Sequence, residues 1–158
     1  MANATSDQRI PLEEARNSMA KVWFPGAGVA VIIIVVQIIL GRYQGSVQEV
    51  WAWFQPTVFP TSALILGVMG AVAMQPDSDQ RTVNRFYFGL SRGLTIFYLL
   101  ILLLILLLDP FAPVHGIDLF NTVNYFLPAI QSIVVGVITV LFTSQEKTAS
   151  PSAAPNQP

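Results

Sequence analysis

The sequence predicts an all-α, polytopic membrane protein: four transmembrane helices in a bundle, with a short amphipathic helix lying in the interface. Three observations predict it. Only 11% of the 158 residues are charged while 53% are hydrophobic, against about 25% charged in a soluble domain. Four stretches approach the ~20 apolar residues that a helix needs to cross the hydrocarbon core. Six of the eight basic residues fall in segments that successive crossings would leave on one side.

The first span is read over residues 22–41, Val22 to Gly41, which hold no charge and are rich in Val and Ile. Its Pro25 sits in the opening turns, where a missing N–H does little harm. An acidic pair, Glu13 and Glu14, precedes it and no small-residue cleavage site follows, so it reads as a retained span rather than a signal peptide. The next charge-free run, Val50 to Pro76, contains Pro56 and Pro60 and is therefore divided. Ser46-Val47-Gln48-Glu49 fits a capping box, and Val47, Val50, Trp51 and Phe54 follow at helical spacing. Residues 46–58 are thus expected as the interfacial helix, with Trp51 and Trp53 at headgroup depth. The second span runs over 59–75 and stops before Pro76. Between Arg92 and Asp109 lie 16 residues, roughly 24 Å of helix. The third span is accordingly drawn over 86–108, with Arg92 snorkelling back to the headgroups and Asp109-Pro110 as its stop. The fourth span covers 119–142, with Asp118 as N-cap and Pro128 as a kink.

These spans divide the chain into an N-terminal segment (1–21, partly helical), a transmembrane domain (22–142) and a tail (143–158). The tail, SQEKTASPSAAPNQP from Ser144, has too little apolar surface to order itself. The charge rule places Arg9, Arg16, Lys21, Arg81, Arg85 and Arg92 on the cytoplasmic side. Arg42 lies alone in the first outer loop, and the second outer loop has neither Lys nor Arg. Both termini are therefore expected in the cytoplasm, with a bacterial inner membrane as the location.

Little chemistry is legible. There are no cysteines, which removes thiolate nucleophiles, Cys-ligated metals and palmitoyl anchors. His115 is the one histidine and cannot build a zinc site by itself. No Gly-rich phosphate loop or paired carboxylates stand out, and the formal net charge of -1 suggests no nucleic-acid partner. The expectation is a protein without catalytic residues, metal or cofactor.

Three patterns remain as candidate functional residues. Small residues recur at intervals of four: Ala63, Gly67 and Ala71 in the second span, Gly89 and Gly93 in the third, Ser132 and Gly136 in the fourth. Such ridges let helices approach closely, within the bundle or between copies of the chain. In the fourth span Asn121, Asn124, Pro128, Gln131, Ser132 and Thr139 fall within about 100° of arc. That stripe must face other helices or water, as a hydrogen-bonded seam with Gln37 a possible partner, or as the lining of a path. Arg81, Arg85, Phe88 and Arg92 align on one face, suited to anionic lipid or an acidic partner.

The stretches WAWFQPTVFPTSALILGV, NRFYFGLSRGLTIFYLLILLLILLL and NYFLPAIQSIVVGVITVLF, within residues 46–142, resemble small, uncharacterised multi-pass membrane proteins of bacteria. The resemblance implies an accessory or effector role and transfers no site residue. The expected function is a non-enzymatic structural or accessory membrane component acting through helix–helix contacts. The alternative is an oligomeric pore or membrane-permeabilising effector that uses the fourth-span stripe. The expected partners are the lipid bilayer and either a second copy of the chain or another membrane protein.

Overall fold

A computed structural model describes residues 9–73, 82–114 and 116–143, with side chains at 71–73 and 143 excluded. The elements run β1 (Arg9–Pro11), α1 (Leu12–Ile39), α2 (Val47–Ala73), β2 (Thr82–Asn84), α3 (Arg85–Leu108), a 3-10 turn (Asp109–Phe111), α4 (Ile117–Val123) and α5 (Leu127–Thr143). The described residues are thus nearly all helical.

The buried face of α1 carries Leu12, Ala15, Met19, Trp23, Ala27, Ala30, Ile34 and Gln37, the three-and-four spacing of one helical stripe. It packs mainly on α3. Small residues set the distance: a Cβ on Gly26 would come within 2.7 Å of Leu99 Cδ1. Three residues earlier Trp23 stacks on Tyr98, ring centroids 6.1 Å apart and planes 15° from parallel. The helix then closes in a Schellman motif. Gly41 N–H donates to Ile38 O at 2.9 Å and Arg42 N–H to Gln37 O at 3.0 Å, and Gly41 takes the left-handed φ of 75° that this closure requires.

Helix α3 buries polar side chains in its first half and leucines in its second, and exposes a long apolar face. Its buried positions include Ser91, Thr95 and Tyr98. Phe97, Leu100, Leu104, Leu107 and Leu108 are among its exposed ones. Ser91 and Thr95 each donate to a carbonyl four residues earlier at 2.8 Å, so their hydroxyls need no water. Water would reverse this arrangement, since soluble proteins rarely leave so continuous an apolar surface uncovered. Helices α1 and α3 are long and apolar enough to cross a membrane. The pair α4 and α5 makes a third such segment if it is counted as one span bent by 55°.

The path of the chain follows from what meets at each end. β1 pairs antiparallel with β2, Arg9 opposite Asn84 and Pro11 opposite Thr82. The start of α1 and the start of α3 are therefore side by side, and α2 must return the whole distance that α1 covers. At the far end Tyr43, between α1 and α2, contacts Asp109 at the foot of α3. The Arg16 guanidinium lies 5.8 Å from the Phe142 ring centre, which brings the end of α5 back to the beginning of α1. The chain thus runs back and forth through α1, α2, α3 and the α4–α5 pair.

Three expectations change. The separate interfacial helix over 46–58 is absent: α2 is continuous from Val47 to Ala73 through both Pro56 and Pro60, and a side chain of another helix, Gln131, supplies the donor that Pro60 removes from the Pro56 carbonyl. The fourth span is two helices, α4 and α5, broken at 124–126 just before Pro128. Gly116 rather than Asp118 takes the N-cap position of α4. The β1–β2 ladder was not expected from such short, mixed segments. Its anchor is Val83, buried opposite Ile10.

Gly26→Leu should destabilise the purified protein by about 1–3 kcal/mol through overpacking against Leu99, read as a lower thermal midpoint in detergent. Leu104→Ile, on the exposed face of α3, should leave that midpoint unchanged. Equal losses at both positions would mean that α1 and α3 do not meet at Gly26.

Candidate functional site

Two prolines organise the polar interior. Pro60 has no N–H, so the Pro56 carbonyl four residues earlier loses its helical donor. Gln131 of α5 replaces it: Nε2 lies 2.8 Å from Pro56 O and 3.2 Å from Thr57 O. Tyr98 of α3 also donates to Thr57 O, at 2.7 Å. One turn further along α2, Trp23 Nε1 of α1 donates to Ser62 Oγ at 2.8 Å, and Ser62 donates to Val58 O. Helices α1, α2, α3 and α5 therefore share one hydrogen-bonded level, beside the prolines of α2.

The second proline acts at the far end. Pro110 follows α3 and leaves the Leu106 carbonyl without its donor. Gln37 of α1 fills that position, Nε2 to Leu106 O 2.7 Å. The Tyr43 hydroxyl lies against Gln37 Oε1 and 3.0 Å from Asp109 Oδ2. Asp109 is buried; its Oδ1 accepts the Gly116 N–H at 2.6 Å. Gly116 has φ 67° and ψ -138°, a backbone state open essentially to glycine alone. Arg42 donates to Pro110 O at 2.9 Å. Burial, reinforced by the Asp109 carboxylate, holds the Tyr43 phenol above its ordinary pKa. It thus stays a neutral donor. Phe120 covers this knot, tilted on Tyr43 and stacked on Trp53 at 4.2 Å between ring centres.

The sequence-derived residues are distributed unevenly. Of the fourth-span stripe, Gln131 is buried and reaches α2. Asn121 and Asn124 are exposed, on the far side of the 55° bend from α5. Ser132 donates to Pro128 O and Thr139 to Val135 O, each at 2.8 Å and within its own helix. The break in the helix destroys the common arc that a straight span would have had. Gln37 is not the partner of this stripe, because the Leu106 carbonyl and Tyr43 engage it instead.

The small residues are corrected in one respect: they are not the close contacts inside the bundle. Ala63, Gly67, Gly89, Gly93 and Gly136 are exposed, and a Cβ on any of the four glycines would find nothing within 4 Å. The tight approach is made by Gly26, outside the predicted ridges. A search for interior polar positions paired with a proline on another helix would have found Gln131 with Pro60 and Gln37 with Pro110. Spacing within one helix does not reveal such pairs. Arg85 and Arg92 are exposed on α3. Arg81, His115 and the side chain of Ala71 lie outside the described residues.

The arrangement of buried groups suits structural hydrogen bonding. Among the described residues no three of His, Asp and Glu converge as metal ligands. No protein-family model, curated protein or solved structure matches this chain.

Gln131→Leu should cost about 1–2 kcal/mol, the range for hydrogen bonds between membrane helices. Pro60→Ala restores the N–H that Pro56 O lacks, so in that background the same substitution should cost measurably less. Denaturation of the four proteins of this cycle in mixed micelles gives the coupling. Strict additivity would show that Gln131 is not answering the proline.

Proposed function

We propose that this chain is a four-span, non-enzymatic component of a bacterial inner membrane, acting as an accessory protein through helix–helix contacts with other membrane proteins or with its own copies. The four spans are α1, α2, α3 and the bent pair α4–α5. Both termini then lie on the side that carries Arg9, Arg16, Lys21, Arg85 and Arg92, the cytoplasmic side by the charge rule.

One observation carries the accessory reading. The small residues of α2, α3 and α5 face outward with open space beside them, amid exposed Leu66, Leu90, Ile133 and Val140. Lipid gives little reason to keep glycine in an outward helix face, where it costs about 1 kcal/mol relative to Ala. A neighbouring transmembrane helix does give one, because glycine admits its backbone closely. The pore alternative draws less support. Gln131 is spent on the α2 backbone, and the hydroxyls of Ser132 and Thr139 fold back on their own helix, so the stripe offers water no continuous row of free polar groups.

Photo-crosslinking residues placed at Gly67 and Gly136 should give discrete protein adducts in intact membranes, whereas one at Ile32, on the exposed face of α1, should not. Adducts with lipid alone at all three positions would end the accessory reading. Liposomes containing the purified protein should show no ion flux, and a cysteine at 131 should resist a membrane-impermeant thiol reagent. Flux together with labelling at 131 would establish the pore instead. Reporters fused after residue 158 and near Ser78 should read cytoplasmic, and those near Gly45 and Gly116 external. A C-terminal reporter reading external would show an odd number of crossings.

A further inference from the structure

We infer that α2 is a two-state hinge at Pro56–Pro60, in which the Thr61 hydroxyl takes over the Thr57 carbonyl when the Tyr98 hydroxyl leaves it. The device stands on contacts inside the bundle and is independent of what the outward glycines meet.

Thr61 lies on the buried stripe of α2 with Phe54, Thr57, Val58 and Ile65, and is 0% exposed. Among the described residues its Oγ1 has no hydrogen-bond partner. A buried hydroxyl left unpaired costs stability. A helical Ser or Thr has a ready remedy, which is to donate to the carbonyl four residues earlier. Ser62, Ser91, Thr95, Thr122, Ser132 and Thr139 all do so. For Thr61 that carbonyl is Thr57 O, and it is taken. Tyr98 Oη donates to it at 2.7 Å and Gln131 Nε2 at 3.2 Å, and a carbonyl has two lone pairs. Thr61 is thus a donor displaced from its own acceptor by side chains of two other helices.

The backbone at this level can yield. Pro56 and Pro60 remove N–H groups from successive turns of α2, and proline is a usual site of helix bending. The helices across the contact form a unit. Trp23 and Tyr98 stack on each other, α1 and α3 approach closely at Gly26 and Leu99, and the β1–β2 ladder joins their starts. A small rotation of α2 against that pair draws Tyr98 off Thr57 O and lets the Thr61 hydroxyl in. The Trp23–Ser62 hydrogen bond, about one turn further along α2, serves as the pivot. The exchange leaves the number of hydrogen bonds unchanged, since the Tyr98 hydroxyl then lacks the acceptor that Thr61 lacked before. Two arrangements with equal numbers of bonds lie close in that part of the free energy. A modest preference of any surface contact for one of them therefore shifts the population.

The test uses the full chain purified in a neutral detergent, first by thermal melting. Thr61→Val removes a hydroxyl that has no partner, so it should raise the midpoint by about 2–4 °C. Tyr98→Phe gives Thr57 O back to Thr61, and in that background Thr61→Val should lower the midpoint by a similar amount. A threonine with a merely structural role would not reverse the sign. The same sign in both backgrounds, or no effect in either, overturns the exchange. The chain has no cysteine, so spin labels can be attached through Leu66→Cys on α2 and Leu90→Cys on α3, both exposed positions. Double electron–electron resonance should then show two distances in the otherwise unaltered chain. Tyr98→Phe should favour one of them, and Thr61→Val should abolish that same one. This second measurement decides the matter if Tyr98→Phe does not fold: a single distance that Thr61→Val leaves unmoved overturns the hinge.

Discussion

A proline in the middle of an apolar helix leaves a backbone carbonyl with no donor, and the bundle depends on how that group is satisfied. In lipid no water is at hand to take over, and an unpaired carbonyl costs several kcal/mol. Pro60 creates this situation at Pro56 O, and Pro110 creates it at Leu106 O. Each carbonyl receives the amide of a glutamine from another helix, Gln131 and Gln37 respectively. The two glutamines are buried polar residues whose partners the prolines themselves provide. Each pair gives the two helices that it joins a directional contact that fixes depth and rotation. Apolar packing alone would permit α5 to slide or rotate against α2, because hydrocarbon tails compete equally with Leu and Val for contact.

The same logic explains why the two ends of the bundle differ. At one end Gln37, Tyr43, Asp109 and Gly116 close a hydrogen-bonded knot under Phe120, tying the α1–α2 and α3–α4 connections together. At the other a two-stranded ladder holds the start of α1 beside the start of α3, and around it lie the exposed guanidinium groups. The first end gathers buried polar contacts; the second carries exposed charge. The two ends of the bundle thus differ in charge and in burial.

Legibility in the sequence followed the range of the interaction. The apolar runs marked α1 and α3 well, since a helix of that length satisfies its own backbone and needs only composition to be recognised. The stop at Asp109-Pro110 and the disturbance near Pro128 were visible for the same local reason. The division of α2 at Pro56 and Pro60 was misread, because whether a proline breaks a helix depends on a donor, Gln131, about seventy positions away. The polar stripe failed for a related reason. Placing Asn121 and Thr139 on one arc assumes a straight helix, and the 55° bend between α4 and α5 separates them. Arg85 and Arg92 could be aligned from their spacing, but Arg9 joined them only through strand pairing.

By itself the sequence determined the raw elements: an apolar chain with few charges, basic residues gathered at one set of loops, and helices bounded by Gly, Pro and Asp. These are properties of composition and of neighbours three or four positions apart, where a helix makes its contacts. Tertiary structure alone decided which glycine is a close contact and which is open, since Gly26 and Gly67 are equally small and differ only in what faces them. It likewise decided that Gln37 and Gln131 serve prolines on other helices. A hydrogen bond between helices is set by the rotation and depth of both, and no local pattern in either one specifies the pair.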